Sequence, residues 1–219
     1  MRDASSPRRS RYPGYDVLAK RDSPSWNAKT REVVSRRLAI GPQPKCFTGD
    51  EFLTVVAIVK RIVPQPDDRP PVPVALLVDD KLHSGRIDGF RRAGMPQEDE
   101  AWRIALAALN AEAEAAHGKN FHELDGAARD LLLLRMEKGE LKAEAWQELS
   151  CADLFKHRVA RDIVYAYYAH PTAWSEIGWG GPASPRGYVR MDFDERDPWE
   201  AAEVKDSAST AVRHENDHG

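Results

Sequence analysis

Cysteine is nearly absent: Cys46 and Cys151 are the two in 219 residues, and no CxxC pair occurs. That excludes a disulfide framework and gives no thiolate metal or redox motif. Two isolated buried thiols in a reducing compartment are the expectation. No apolar run approaches the roughly 18–20 residues needed to cross a bilayer, and the mean hydropathy is -0.59, so direct membrane insertion is excluded. An excess of one charge is also missing. Thirty-two Lys+Arg against 35 Asp+Glu leave a net -3, which is not a nucleic-acid polycation. The nucleotide fingerprints fail as well. Gly178-Trp179-Gly180-Gly181-Pro182 is glycine-rich but does not follow a strand and open a helix. There is no G-x-S-x-G elbow. No self-contained site for a nucleotide, metal or nucleophile is visible. The expectation is a chain without catalytic residues or a cofactor of its own.

Charge is present but sorted along the chain. Residues 1–37 carry ten Lys/Arg and four Asp/Glu, while residues 192–219 carry three and nine. A basic front and an acidic end can attract one another or engage different patches of a partner. Residues 1–24, rich in Ser, Pro, Arg and Gly, read as an extended arm, which Tyr12 and Tyr15 could tie to a surface.

Helical periodicity dominates the middle, and no strand pattern is convincing. Ser25 to Ala39 reads as a first helix, stopped by Pro42 and Pro44. Thr48-Gly49-Asp50-Glu51 fits a capping box. Behind it Phe52, Val55, Val56, Val59, Ile62 and Val63 form a one-sided stripe. Five prolines in 64–73 make a stiff connector. Val74 to His83 is a short helix. Glu98 to His117 is a long Ala-rich one with acids in its first turn. Asp125 caps a helix to about Lys138, and Ser150 caps the last, ending near Ala169. After His170 the helical period is lost. The fold class expected is all-α: an irregular bundle of about six helices with an extended N-terminal arm and a Gly/Pro/Trp-rich C-terminal extension. The divisions expected are 1–47 (arm and first helix), 48–169 (helical core), 170–203 (ordered interface extension) and 204–219 (disordered acidic tail).

Two motifs invite chemistry and fail on context. His214-Glu215-Asn216-Asp217-His218 matches H-E-x-x-H, but it stands in a polar tail with no apolar face, so a mobile tail is expected there. Arg8-Arg9 lacks the apolar stretch of a twin-arginine signal, so by its own sequence the chain reads as cytoplasmic. His170, before Pro171, is expected to satisfy helix-terminal carbonyls.

What stands out is aromatic and Arg density outside the core pattern. Tyr165, Tyr167 and Tyr168 lie on different sides of one helix. Trp174, Trp179, Arg186, Tyr188 and Arg190 follow. These residue types dominate interface hot spots. Such a segment orders itself by burying its rings, either on its own bundle or on a partner, and the residues do not decide between the two. With Tyr12 and Tyr15 they form the candidate partner interface.

Phe47-Thr48-Gly49-Asp50-Glu51-Phe52, then Arg61-Ile62-Val63-Pro64-Gln65-Pro66-Asp67-Asp68-Arg69, resembles the opening of the gluconate 2-dehydrogenase subunit 3 family. His170-Pro171-Thr172-Ala173-Trp174-Ser175-Glu176-Ile177-Gly178-Trp179-Gly180-Gly181-Pro182, running on to Tyr188, resembles its closing signature. The resemblance covers about residues 12–200. It implies a non-catalytic small (gamma) subunit beside a large FAD-containing subunit of the glucose-methanol-choline type, often with a cytochrome c as electron acceptor. Such complexes oxidise sugars, sugar acids or polyols, and the FAD belongs to the large chain. The small subunit is thought to support its partner's folding, stability or export. Several relatives carry a twin-arginine signal. This sequence departs there, so a periplasmic location would require a partner that carries the signal. The competing expectation is a free-standing helical interaction module without an oxidoreductase partner.

Overall fold

Prolines and glycines punctuate the helices where the sequence places them. The computed structural model describes residues 10–66, 69–182, 196–204 and 209–218. Arg186, Tyr188 and Arg190 of the expected interface lie outside the described residues, as do Arg8 and Arg9. Among the described residues there are nine α-helices and no strand: α1 (Ala28–Leu38), α2 (Gly49–Ile62), α3 (Val74–His83), α4 (Glu98–His117), α5 (Gly126–Lys138), α6 (Cys151–Leu154), α7 (Ala160–Tyr168), α8 (Pro171–Ile177) and α9 (Ser209–His218). The chain is all-α, as its periodicity implies. Among the described residues no helix is long and apolar enough to cross a membrane.

The chain divides into two units, Ile40–Tyr167 and Met1–Ala39 with Tyr168–Gly219. In the first, α4 is the axis. Its first turn carries Glu98, Asp99 and Glu100, complementing the helix dipole, and it ends at Gly118 in the left-handed conformation. Trp102, Ala105, Leu106, Ala108, Leu109 and Ala113 are buried along it, where α2, α5, α6 and the turn after α6 pack. The expected capping box opens α2: Thr48 N donates to Glu51 at 2.8 Å and Glu51 N to Thr48 at 3.4 Å. Asp79, buried on α3, holds the approach to that box by accepting from the amides of Lys45, Cys46 and Phe47 at 2.6, 3.0 and 2.9 Å. Glu112 on α4 likewise fixes the segment after α5, accepting from Lys142 N, Ala143 N and Trp146 Nε1 at 2.7, 2.6 and 3.0 Å.

Four expectations need correction. The last long helix is not continuous: a π-helical turn, Phe155–Val159, separates α6 from α7. The arm is not extended throughout. Val17–Asp22 forms a 3-10 helix capped by Asp16, and α1 starts at Ala28, where Asn27 accepts from Thr30 N. The segment after His170 has a helix, because Pro171 at its first position is preset for helical φ and Gly178, at φ +68°, closes it. The tail is helical over Ser209–His218. Within α9 the buried Asn216 exchanges hydrogen bonds with Ala202 and donates to Pro13 O at 2.9 Å. Arg11 pairs with Glu203, and Arg196 with Glu215. The basic front and acidic end therefore meet within their own unit.

Candidate functional site

Trp174, expected to be an interface anchor, is 1% exposed and lies in a core with Tyr15, Val17, Trp26 and Val34. Its indole nitrogen donates to Tyr168 O at 2.7 Å. The Arg37 guanidinium lies 5.4 Å from its ring centroid. Trp179 meets it edge-on at 4.8 Å. The glycines of the closing motif are there for contact. A Cβ at Gly178 would fall 2.5 Å from the Tyr12 ring, and one at Gly181 3.1 Å from Trp174. Val17 N donates to Ser175 Oγ at 3.1 Å. The arm and α8 thus close over one another. Burial first, then Asp16 and Glu200, push the Tyr15 phenol up to about 12.

His170 does not serve the preceding helix's carbonyls. It caps the start of α8, where Nδ1 accepts from Thr172 N at 3.3 Å. Burial, and then Arg37, hold its pKa below the usual imidazole value. Both effects favour the neutral ring that an accepting Nδ1 requires.

The ten expected interface residues fall into three groups. Tyr15, Tyr167 and Trp174 are buried within the chain. Tyr165, Tyr168 and Trp179 are exposed, Tyr165 with Arg161 stacked 5.1 Å from its ring, and Tyr12 is half-buried. Arg186, Tyr188 and Arg190 lie outside the described residues.

Sequence reasoning missed a buried ionic cluster in the Ile40–Tyr167 unit. Asp88, Glu98 and Asp162 bring carboxylate oxygens within 4.8 Å of one another. Lys81 Nζ sits among them, 2.7, 3.0 and 3.1 Å away. Arg158 Nη1 lies 3.4, 3.2 and 3.3 Å from the same three. Arg161 adds a contact to Asp88 at 3.5 Å, and Glu98 Oε1 accepts from Asp88 N at 3.0 Å. Three carboxylates at this spacing would suit a cation, but an ammonium and a guanidinium already fill the space. Burial opposes the Lys81 charge, yet the three carboxylates hold Lys81 above its ordinary pKa. Lys81, Arg161 and Arg158 hold Asp88 below its own against the same burial. The i, i+4 spacing of Arg158 and Asp162 was the available signal. It reads equally well as a solvated face.

The family model described as gluconate 2-dehydrogenase subunit 3 matches residues 49–181, more than half of the 219. The chain belongs to that family. The match begins with the first residue of α2 and ends at Gly181, the glycine against Trp174. It is narrower than the stretch read from the motifs and leaves out the arm, α1 and α9. No curated protein and no solved structure matches the chain. The name gluconate 2-dehydrogenase subunit 3 denotes one subunit of a multi-subunit dehydrogenase complex. The Lys81 cluster and Trp174 lie inside the matched stretch.

Proposed function

We propose that this chain is the non-catalytic small subunit of an FAD-dependent sugar, polyol or sugar-acid dehydrogenase, and that it binds and stabilises the large flavin subunit. The observation that carries the reading is the family match over residues 49–181. The FAD belongs to the large chain, of the glucose-methanol-choline type, with a cytochrome c as electron acceptor. Exposed Tyr165, Tyr168 and Trp179, with Tyr12, Arg186, Tyr188 and Arg190, supply hot-spot residue types for the contact. A partner that binds only the folded flavin subunit stabilises it by about 4 kcal/mol at a thousand times Kd. That is enough to decide whether a large flavoprotein accumulates. A location outside the cytoplasm would follow from an export signal on the partner.

Co-expression with a large flavin subunit of the glucose-methanol-choline type tests the proposal. The two chains are expected to co-purify, with flavin absorbance in the large one, and omission of the small chain should lower the yield of active large subunit. An unchanged yield sinks the stabilising role.

A second reading, a free-standing helical module, draws on one observation. Trp174 is buried among residues of its own unit and needs no partner to cover it. A monomer that ignores the co-expressed large subunit would favour this reading.

A further inference from the structure

The link between α3 and α4 holds two large apolar side chains in water. From 84 to 95 only Asp88 and Met95 turn inward. Ile87 and Phe90, on either side of Asp88 and Gly89, are each 69% exposed, more than any other large apolar side chain among the described residues. A link of this length would ordinarily be loose, and a loose link could fold such side chains down. This one is pinned. Asp88 descends into the buried cluster, 2.7 Å from Lys81 Nζ. Arg92 reaches His157 Nε2 at 2.7 Å and Asp153 at 3.6 Å. Arg86 pairs with Asp80 at 2.5 Å. Arg161 contacts Asp88 and stacks on exposed Tyr165, which places that ring beside the pinned link.

Fixing an exposed Ile and Phe in one geometry removes the entropy that a loose link would lose on binding. The pinning contacts also serve the fold, but holding Ile87 and Phe90 out in water does nothing for it. The charges say what kind of surface the link meets. Arg86, Arg92 and Arg161 are matched by acids of the chain itself. Arg91 is exposed and makes no ion pair with a described residue. A single unmatched guanidinium is too little to draw the link onto an anionic bilayer, where several basic residues act together. It suits an apolar protein pocket with one carboxylate on its rim.

We propose that residues 84–95 are a docking loop for the large dehydrogenase subunit, with Phe90 and Ile87 entering an apolar pocket, Arg91 meeting a carboxylate at its edge, and Tyr165 flanking the contact. The proposal rests on the accessory-subunit reading and adds the surface to it.

The test uses the full chain and the co-expressed large subunit. Phe90→Ser, Ile87→Ser and Arg91→Glu are compared with Leu134→Ser, an exposed leucine on α5. Circular dichroism and Tm should match the parent, since none of these side chains is buried. Phe90→Ser and Ile87→Ser should weaken association with the large subunit roughly tenfold or more. Arg91→Glu should do the same most strongly at low salt, and Leu134→Ser should leave association unchanged. If the parent binds and the loop variants bind within about twofold of it, the docking loop is wrong and the accessory reading stands. If the parent does not bind, both fall. If Phe90→Ser instead abolishes co-sedimentation with phosphatidylserine vesicles while the complex forms normally, the loop is a membrane contact and the proposal is overturned.

Discussion

The indole nitrogen of Trp102, buried near the start of α4, donates to Asp162 Oδ2 at 2.8 Å. That bond fixes a fully buried carboxylate of α7 against the axis helix. Its other oxygen faces Lys81 at 3.1 Å. One side chain therefore connects the apolar core to the ionic cluster.

Asp162→Asn keeps the shape and removes the charge, leaving Lys81 and Arg158 with two carboxylates. Breaking a buried ion pair from one side costs roughly 3–5 kcal/mol. A urea titration should show that loss. A change below about 1 kcal/mol would mean that the cluster is not what holds α7.

The same cluster gives stability a defined pH window. Asp88 titrates below its ordinary value when folded, so its contribution is present above the carboxylate's unfolded pKa and is lost as pH falls through the lowered folded value. Lys81 titrates above its ordinary value, so its contribution is present below the unfolded lysine pKa and is lost as pH rises through the raised one. Lys81→Met should flatten the alkaline limb of a Tm–pH profile relative to the parent. An unchanged limb would assign it to other groups.

His170 acts in the opposite sense from Lys81, because its folded pKa is depressed. Its contribution is present above about 6.5 and is lost as pH falls through the lower folded value, when Nδ1 gains a proton and can no longer accept from Thr172 N. His170→Asn keeps an accepting N-cap without the titration. Between pH 7.5 and 5 the parent should lose Tm that the variant retains. Parallel profiles would show that the ring's protonation does not matter to α8.

The helices were legible because their signals are local. Thr48 and Glu51, Asp125 and Ala128, and Ser150 and Asp153 are three residues apart, so the cap and its target stand side by side in the sequence. The ionic cluster was not legible. Its members come from α3, a link, α4, the π-helical turn and α7, and each alone looks like a solvated charge. The tail misled for a related reason. Asn216 is one polar residue among many until Ala202 and Pro13, the latter 203 residues away, come to meet it. Trp174 had two destinations open, its own unit or a partner. Gly178 and Gly181 decide it by making room for Tyr12 and Trp174, which spacing alone does not show.

Asp79→Ala should cost about 3 kcal/mol, because three amides ahead of α2 lose a charged acceptor. Asp79→Asn, which keeps one acceptor oxygen, should fall between. Hydrogen exchange at Lys45, Cys46 and Phe47 reads the effect locally. Protection unchanged in Asp79→Ala would mean that the approach to α2 is held by something else.

Gly178 separates backbone strain from contact. Its φ of +68° costs a side chain roughly 1–2 kcal/mol, and its Cβ would meet the Tyr12 ring at 2.5 Å. Gly178→Ala should therefore lose more than the backbone cost alone. In the Tyr12→Ala background the same substitution should lose only the backbone part, since the ring is gone. A double-mutant cycle measures the difference as a coupling between arm and α8. Additive effects would mean that Tyr12 yields without cost, and the closing motif would then owe its glycine to backbone geometry instead of to the arm lying against it.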